Sequence, residues 1–261
     1  MYRDPKQWIW WAIPIVVVLG AGAALYYGRL HKEQPVAKPA VTAPAPAATT
    51  PPANHPIDAT PPSTPLPPLN ESDAALQESL GEVFGRSLDS YLVPKQLIRH
   101  IVVTVDNLPR KKTAVQLWPI KPTAGQLSVV DGNGDFPVLN ADNAARYAPL
   151  VKLVQNSDPA QLAAIYKRYY PLFQEAYVGL GYPDGYFNNR LIEVIDHLLE
   201  SPELPAEVRL TQPSVFYQFA DPALEERSAG QKVLLRLGNG NAATVKMKLR
   251  EFRREIAKPQ E

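Results

Sequence analysis

Residues 158–181 read DPAQLAAIYKRYYPLFQEAYVGLG, and their spacing sets the class of the folded part. Asp158 is a good helix cap and Pro159 suits the first helical position, where no backbone N–H is needed. Leu162, Ile165, Tyr166, Tyr169, Phe173, Tyr177 and Leu180 then recur at helical intervals, and Gly181 offers a stop. This predicts a long amphipathic helix, kinked or split where Pro171 removes a donor.

Other helices are expected on both sides. Upstream, Asn140 can cap a helix over 144–154. Ser72 or Asn70 can cap one carrying Leu76, Leu80, Val83 and Phe84. Between them Pro94 suits a first turn before Leu97, Ile98, Ile101, Val102 and Val105, a broad apolar stripe that ends near Asn107-Leu108-Pro109. Downstream, Pro183-Asp184-Gly185 turns the chain into a helix over 188–200, and Asn241 caps a last one with Val245, Leu249, Phe252 and Ile256 on one face. Extended segments are expected at 115–118, at 127–130 and 136–139 around an Asp131-Gly132-Asn133-Gly134 turn, and at 208–211 and 215–219. The fold class is mainly α with a small β element (α+β), and no internal repeat is visible.

Before residue 70 the composition changes. Trp8 to Tyr27, WIWWAIPIVVVLGAGAALYY, is about the length that crosses a bilayer core as a helix and carries no charge. Trp8, Trp10, Trp11, Tyr26 and Tyr27 sit at its ends, where amphipathic rings meet lipid headgroups, and Arg3, Lys6, Arg29 and Lys32 mark the water beyond. Ala21-Gly22-Ala23 resembles a signal-peptidase site, but the apolar run continues to bulky Tyr26 and Tyr27, which favours an uncleaved single transmembrane helix. Residues 28–69 are rich in Pro, Ala and Thr and hold nearly half of the 28 prolines. They cannot form a core and read as a disordered tether, with polyproline II stretches of about 3.1 Å per residue. The expected organisation is a short cytoplasmic tail (1–7), a bilayer span (8–27), a Pro/Ala-rich tether (28–69) and one C-terminal globular domain (70–258). With its N-terminus inside, the chain would place its domain across the membrane; Pro-rich linkers of this kind are often found on single-span proteins of the bacterial envelope, so a bacterial inner membrane with the domain in the periplasm is expected.

Composition excludes several function classes. The net charge is +1 overall. Five of the 27 Lys and Arg (Arg3, Lys6, Arg29, Lys32, Lys38) and three of the 26 Asp and Glu (Asp4, Glu33, Asp58) precede Asn70, leaving the folded part with one negative charge in excess. No long-range positive field draws in nucleic acid, so no nucleic-acid partner is expected. Cysteine is absent, which removes disulfides, thiolate metal sites and a cysteine nucleophile.

Several strings occur together: Glu71-Ser72-Asp73 after the Pro-rich stretch, Val105-Asp106-Asn107-Leu108-Pro109, Arg146-Tyr147, Tyr170-Pro171-Leu172-Phe173-Gln174, Leu180-Gly181-Tyr182-Pro183, Ile195-Asp196-His197-Leu198-Leu199, Phe219-Ala220-Asp221-Pro222 and Gly230-Gln231-Lys232. In combination, over about Pro68 to Ile256, the chain resembles a bacterial family of single-span envelope proteins known only as a domain of unknown function. The resemblance implies a bacterial source and one C-terminal unit, and brings no activity or ligand.

Candidate chemistry is sparse. Only His100 and His197 fall in the domain, with no Gly-x-Ser-x-Gly or His-Glu-x-x-His pattern. Glu193, Asp196, His197 and Glu200 share one helix face and are the best acid–base candidates, although such a face more often simply faces water. Asp131 to Asp135 has the oxygen spacing of a calcium loop, but Phe136 stands where such a loop needs glycine, so a hairpin turn is the better reading and no metal is expected. Leu237-Gly238-Asn239-Gly240-Asn241 reads as chain reversal with capping, since it lacks the Walker lysine and the third glycine of a dinucleotide loop. Lys246, Arg250, Arg253 and Arg254 form a basic stripe on the last helix, a solvated face or a contact for anionic envelope polymers.

Half of the 12 tyrosines fall within 166–187. Tyr170, Tyr182 and Tyr186, beside Asn188 and Arg190, are the candidate binding surface, because aromatic plates with amide and guanidinium handles suit a protein, a Pro-rich peptide or a sugar. The expected function is a non-enzymatic binding or scaffolding module with an envelope-protein or cell-wall partner and no cofactor. The alternative is a glycan-acting envelope enzyme using Glu193 or another acid.

Overall fold

The structure, a computed structural model, describes residues 65–132 and 136–257, together with His55 and Ile57. The expected span 8–27, the tail before it, most of the tether and the centre of the Asp131–Asp135 loop lie outside the described residues. Among the described residues no helix is long and apolar enough to cross a membrane.

The domain is mainly helical, with small antiparallel sheets. In chain order the described elements are α1 (Asp73–Phe84), α2 (Leu97–Asn107), β1 (Val129–Asp131), β2 (Pro137–Leu139), α3 (Asn143–Asn156), α4 (Pro159–Gly179), α5 (Phe187–Leu199), β3 (Leu210–Thr211), β4 (Gln218–Phe219), α6 (Pro222–Glu225), α7 (Ala229–Leu237) and α8 (Asn239–Ala257). The long helix predicted from 158–181 is α4. Asp158 caps it by accepting a hydrogen bond from the Ala160 N–H at 2.8 Å. Helix α4 runs unbroken through Pro171, contrary to the expected split. Proline inside a helix costs about 3 kcal/mol, and burial of Tyr169, Tyr170, Leu172 and Phe173 around it supplies the compensating packing.

Helix α8 packs against α3, α4 and α5, while α4 also packs against α2. At their meeting point is an aromatic core. Phe173 and Phe187 stack with planes 2° apart and centroids 5.8 Å apart. Tyr166 meets Tyr170, Phe173, Phe187 and Phe252 at tilted or edge-on angles, the arrangements ring quadrupoles favour.

Two expectations upstream are corrected. Helix α2 begins at Leu97, so Pro94 lies outside it. Gln96 is left-handed at φ 54°, and the N–H groups of Gln96 and Leu97 donate to the Asp73 carboxylate at 2.7 and 2.8 Å. A side chain of α1 thus caps α2, which sequence spacing does not reveal. Residues 115–117 form a 3₁₀ turn instead of a strand, because the Leu117 and Trp118 N–H groups bond locally to Ala114 O and Val115 O.

The β1–β2 hairpin forms as expected, with Val129 opposite Leu139 and Asp131 opposite Pro137. Strands β3 and β4 pair as Leu210 with Phe219 and Thr211 with Gln218. A bridge between Val138 and Arg209 joins the two pairs, and Leu139 N donates to Val208 O. Val208, Leu210, Phe219, Leu224 and Leu235 make a second, smaller core beneath this sheet.

Ordered packing reaches upstream of the expected boundary at Asn70. Leu69 is buried in the main core and Leu66 and Ile57 pack against it. The fully buried Asn188 amide donates to His55 O at 2.9 Å and Ile256 O at 3.2 Å, and Asn189 Oδ1 accepts from His55 N at 3.2 Å.

Helix α7 is seated on the end of α2. Ala229 N donates to Arg110 O at 2.7 Å and Gly230 N to Leu108 O at 2.9 Å. A Cβ on Gly230 would lie 2.5 Å from Leu198 Cδ2 and 3.2 Å from Leu108 O. Gly230→Ala should therefore destabilise the domain by about 1–3 kcal/mol, the usual cost of overpacking; urea unfolding reads it, and an unchanged midpoint would show that the interface yields freely.

Burial, reinforced by Tyr170, holds the Tyr166 phenol well above its ordinary pKa of 10.0. Its hydroxyl donates to Asn188 Oδ1 at 3.2 Å. The folded chain keeps this proton where the unfolded chain releases it, so the stability contribution is complete below pH 10 and is lost above it. Tyr166→Phe should make the decline of stability above about pH 10 shallower; an alkaline limb of unchanged slope in pH-dependent denaturation would refute this.

Candidate functional site

A cleft of about 670 Å³ lies where α3, α7 and the β3–β4 loop meet. Gln126, Leu127, Arg146, Tyr147, Gln212, Val215, Phe216, Tyr217 and Arg236 line it. Its geometry begins with Asn143, a buried residue whose amide spans the segment before β1. Asn143 Oδ1 accepts from Ser128 N at 2.9 Å, and its Nδ2 donates to Ser128 O at 2.6 Å and Asn140 O at 2.7 Å. One turn on, Arg146 is held by neutral acceptors: Nη2 donates to Gly125 O at 2.7 Å and Nε to Ala124 O at 3.2 Å. Gly125 has φ 81°, a conformation glycine adopts without strain. Arg146 is thereby fixed in place, with no ion pair among the described residues.

Arg236, in the last turn of α7, lies over the Phe219 ring at 6.0 Å. Among the described residues it has no hydrogen bond or ion pair, and no Asp or Glu lines the cleft. At its mouth Val215 is 80% and Phe216 78% exposed. Large apolar side chains this open, beside an unpaired guanidinium, are the combination that protein interfaces use as anchors.

The aromatic surface expected from the sequence divides into separate environments. Tyr170 is buried and donates to Gln174 Oε1 at 3.1 Å, and Asn188 is fully buried, so neither is available at a surface. Gln174 also donates to Gly185 O and accepts from Phe187 N, which ties the 180–186 turn to α4. Tyr182 stacks on Tyr177 at 4.6 Å and donates to Asp106 Oδ2 at 3.3 Å. Tyr186, directly before α5, remains exposed. Arg190 is held between Asp106 and Glu193.

The acid–base candidates likewise have separate partners. Glu193 accepts from Arg190 at 2.8 Å. Asp196 receives Arg253 of α8 through both oxygens, with Nη2 at 2.7 Å. His197 Nε2 shares a 2.9 Å hydrogen bond with Ser228 Oγ, the hydroxyl that also caps α7 by accepting from Gln231 N. These groups join α5 to α8 and α7. Among the described residues no cluster of three or more His, Asp or Glu could hold a metal ion. Of the basic stripe, Arg253 and Lys246 are tied down, the latter to Ser201 O.

Sequence reading assigned Val215 and Phe216 to a strand and passed over Arg146 and Arg236 as site residues. Pro213-Ser214 immediately before them was the available signal for a loop.

No curated protein and no solved structure matches the chain. A family model described as a protein of unknown function (DUF3014) matches residues 97–253, which include Arg146, Arg236 and the 212–217 loop. The chain is a member of the DUF3014 family.

Proposed function

We propose that this chain is a membrane-tethered binding module of the bacterial envelope. Residues 8–27 cross the inner membrane once, the part of the Pro/Ala-rich stretch upstream of His55 (28–54) acts as the tether, and the C-terminal domain works in the periplasm on a protein or cell-wall partner. The charge-free Trp8–Tyr27 run and its aromatic and basic flanks support the anchor. Upstream of His55, which bonds the domain, about 27 tether residues can reach on the order of 80 Å when extended, enough to work well away from the bilayer. The observation that carries the binding role is the 670 Å³ cleft with exposed Val215 and Phe216 beside unpaired Arg236. Glu193, Asp196 and His197 are each engaged by a structural partner, which favours the binding role over the enzymatic alternative.

Two measurements on intact cells test the proposal. After alkaline carbonate extraction the full chain should stay with the membrane pellet, whereas a chain starting at residue 33 should be released; release of both would sink the anchor. A photocrosslinking residue at position 216 should give a discrete adduct that is absent when the same residue replaces exposed Met247. Equal labelling from both positions would refute the cleft as the binding face.

A further inference from the structure

Resting on that reading of the cleft, we infer that its ligand is an acidic peptide segment of a partner protein, with an apolar side chain beside the carboxylates. Four features of the cleft specify this class. Arg146 presents a guanidinium immobilised by backbone carbonyls of residues 124 and 125; Arg236 presents one that lacks an anionic partner among the described residues. Among the described residues no carboxylate lines the cleft, so the formal charges there are all positive although the folded part carries a slight negative excess.

Guanidinium groups bind carboxylates through paired hydrogen bonds. Arg146 already uses Nε and Nη2 on backbone carbonyls, so the carboxylate's main partner is Arg236.

Val215 and Phe216 supply the second requirement. They stand in water at 80% and 78% exposure, and covering them needs an apolar side chain on the ligand. Gln126 and Gln212 supply the third, since primary amides can pair with both the N–H and the C=O of a peptide. Gln212 already donates one hydrogen bond to Val215 O at 3.2 Å, which bends the loop over the cleft. The fourth is size: about 670 Å³ falls within the range of sites for ligands of drug size, about 300–1,000 Å³, and so accommodates a short peptide segment. A long polyanion fits less well, because the negative excess of the rest of the domain opposes it. Sugars offer no match for the aliphatic side chain of Val215.

The test uses the full chain in neutral detergent, with a phage-displayed library of random dodecapeptides as probe. Selection should enrich peptides that combine Asp or Glu with Phe, Tyr, Leu or Ile. Fluorescence anisotropy of a labelled selected peptide should show affinity falling at least tenfold in Arg236→Glu and in Phe216→Ser, and falling with salt. Arg236→Gln, checked by an unchanged thermal midpoint, should lose most of the affinity without the risk of a buried acid.

Enrichment of basic or neutral peptides that depend on Phe216 but not Arg236 would overturn the acidic class and leave the binding face standing. Failure to enrich any peptide, or binding insensitive to both substitutions, would overturn the peptide ligand and the binding face together. Binding to vesicles of anionic lipid that depends on Arg236 and Phe216 and excludes the peptide would assign the surface to a membrane instead, and so overturn the proposal.

Discussion

Asp106→Ala should destabilise the domain by about 3–5 kcal/mol, the typical cost of removing one partner of a buried ion pair. Its side chain is 4% exposed and both carboxylate oxygens accept hydrogen bonds. Arg110 Nη2 donates to Oδ2 at 2.6 Å, Arg190 Nε to Oδ1 at 3.2 Å and the Tyr182 hydroxyl to Oδ2 at 3.3 Å. Arg190 Nη2 also donates to the main-chain oxygen at 2.9 Å. These bonds fasten the end of α2 to α5 and to the turn after α4. Arg110, more than half exposed, can return to water, and its share is small. Arg190 is 20% exposed and cannot. After truncation it keeps Glu193, a mostly exposed and weak partner, while Tyr182 loses its acceptor. Asp106→Asn keeps one oxygen, which can serve Arg190 or Tyr182 but not both, and removes the charge, so it should fall between wild type and alanine. Urea unfolding of the three proteins measures the series; an alanine variant within about 1 kcal/mol of wild type would show that the pair only breaks even against its desolvation, as some buried pairs do.

The same residues show where sequence reading reaches its limit. Helix α4 was legible because Asp158-Pro159 supplies a cap and a first position and seven apolar residues then repeat on one face. Helix α6 carries the identical opening, Asp221-Pro222, with Asp221 accepting from Ala223 N at 2.8 Å, yet at four residues it has no room for a period. Helix α7 was missed although Ser228 caps it and Gly238, at φ 81°, ends it.

Side-chain roles were less legible still. The density of tyrosines marks 166–187 as important, but local spacing cannot show that His55 and Ile256 converge on Asn188 or that Asp106 reaches Tyr182 and Arg190. Glu193, Asp196 and His197 do share a helix, yet their partners lie on different elements, so a shared face did not become a shared site. The cleft is hardest of all. Arg146 and Arg236 meet around it only once the start of α3, the end of α7 and the 212–217 loop are placed by the two small sheets. Each is unremarkable in its own stretch of sequence, and what distinguishes Arg236 is the lack of an acidic neighbour, a property of the fold.

Phe187→Ala should have an effect as large as the loss of Asp106, by a different route. Phe187 is fully buried, stacked on Phe173 and tilted against Tyr177 at 5.5 Å and Tyr166 at 6.4 Å. Truncating a buried Phe removes its transfer energy and leaves a cavity, together about 3–5 kcal/mol. Phe187 also lines an existing apolar cavity of about 160 Å³, with Leu76, Leu80, Ile101, Leu191 and Phe252 around it. The new void would join the old one instead of collapsing, which places the cost at the upper end of that range. Since Phe187 opens α5 and its N–H donates to Gln174 Oε1, a bond alanine preserves, the loss reports packing alone. At about 2–4 °C per kcal/mol for a domain of this size, the thermal midpoint should fall by roughly 10–20 °C. Phe187→Leu fills most of the space and should cost less than half as much. The enlarged cavity is lined by apolar groups, so benzene should raise the midpoint of Phe187→Ala by more than that of wild type, whose apolar pocket is smaller and partly open. A fall of less than about 5 °C, or equal effects of benzene on both proteins, would mean that the helices close over the gap and that this aromatic cluster is not the rigid centre on which α4, α5 and α8 are assembled.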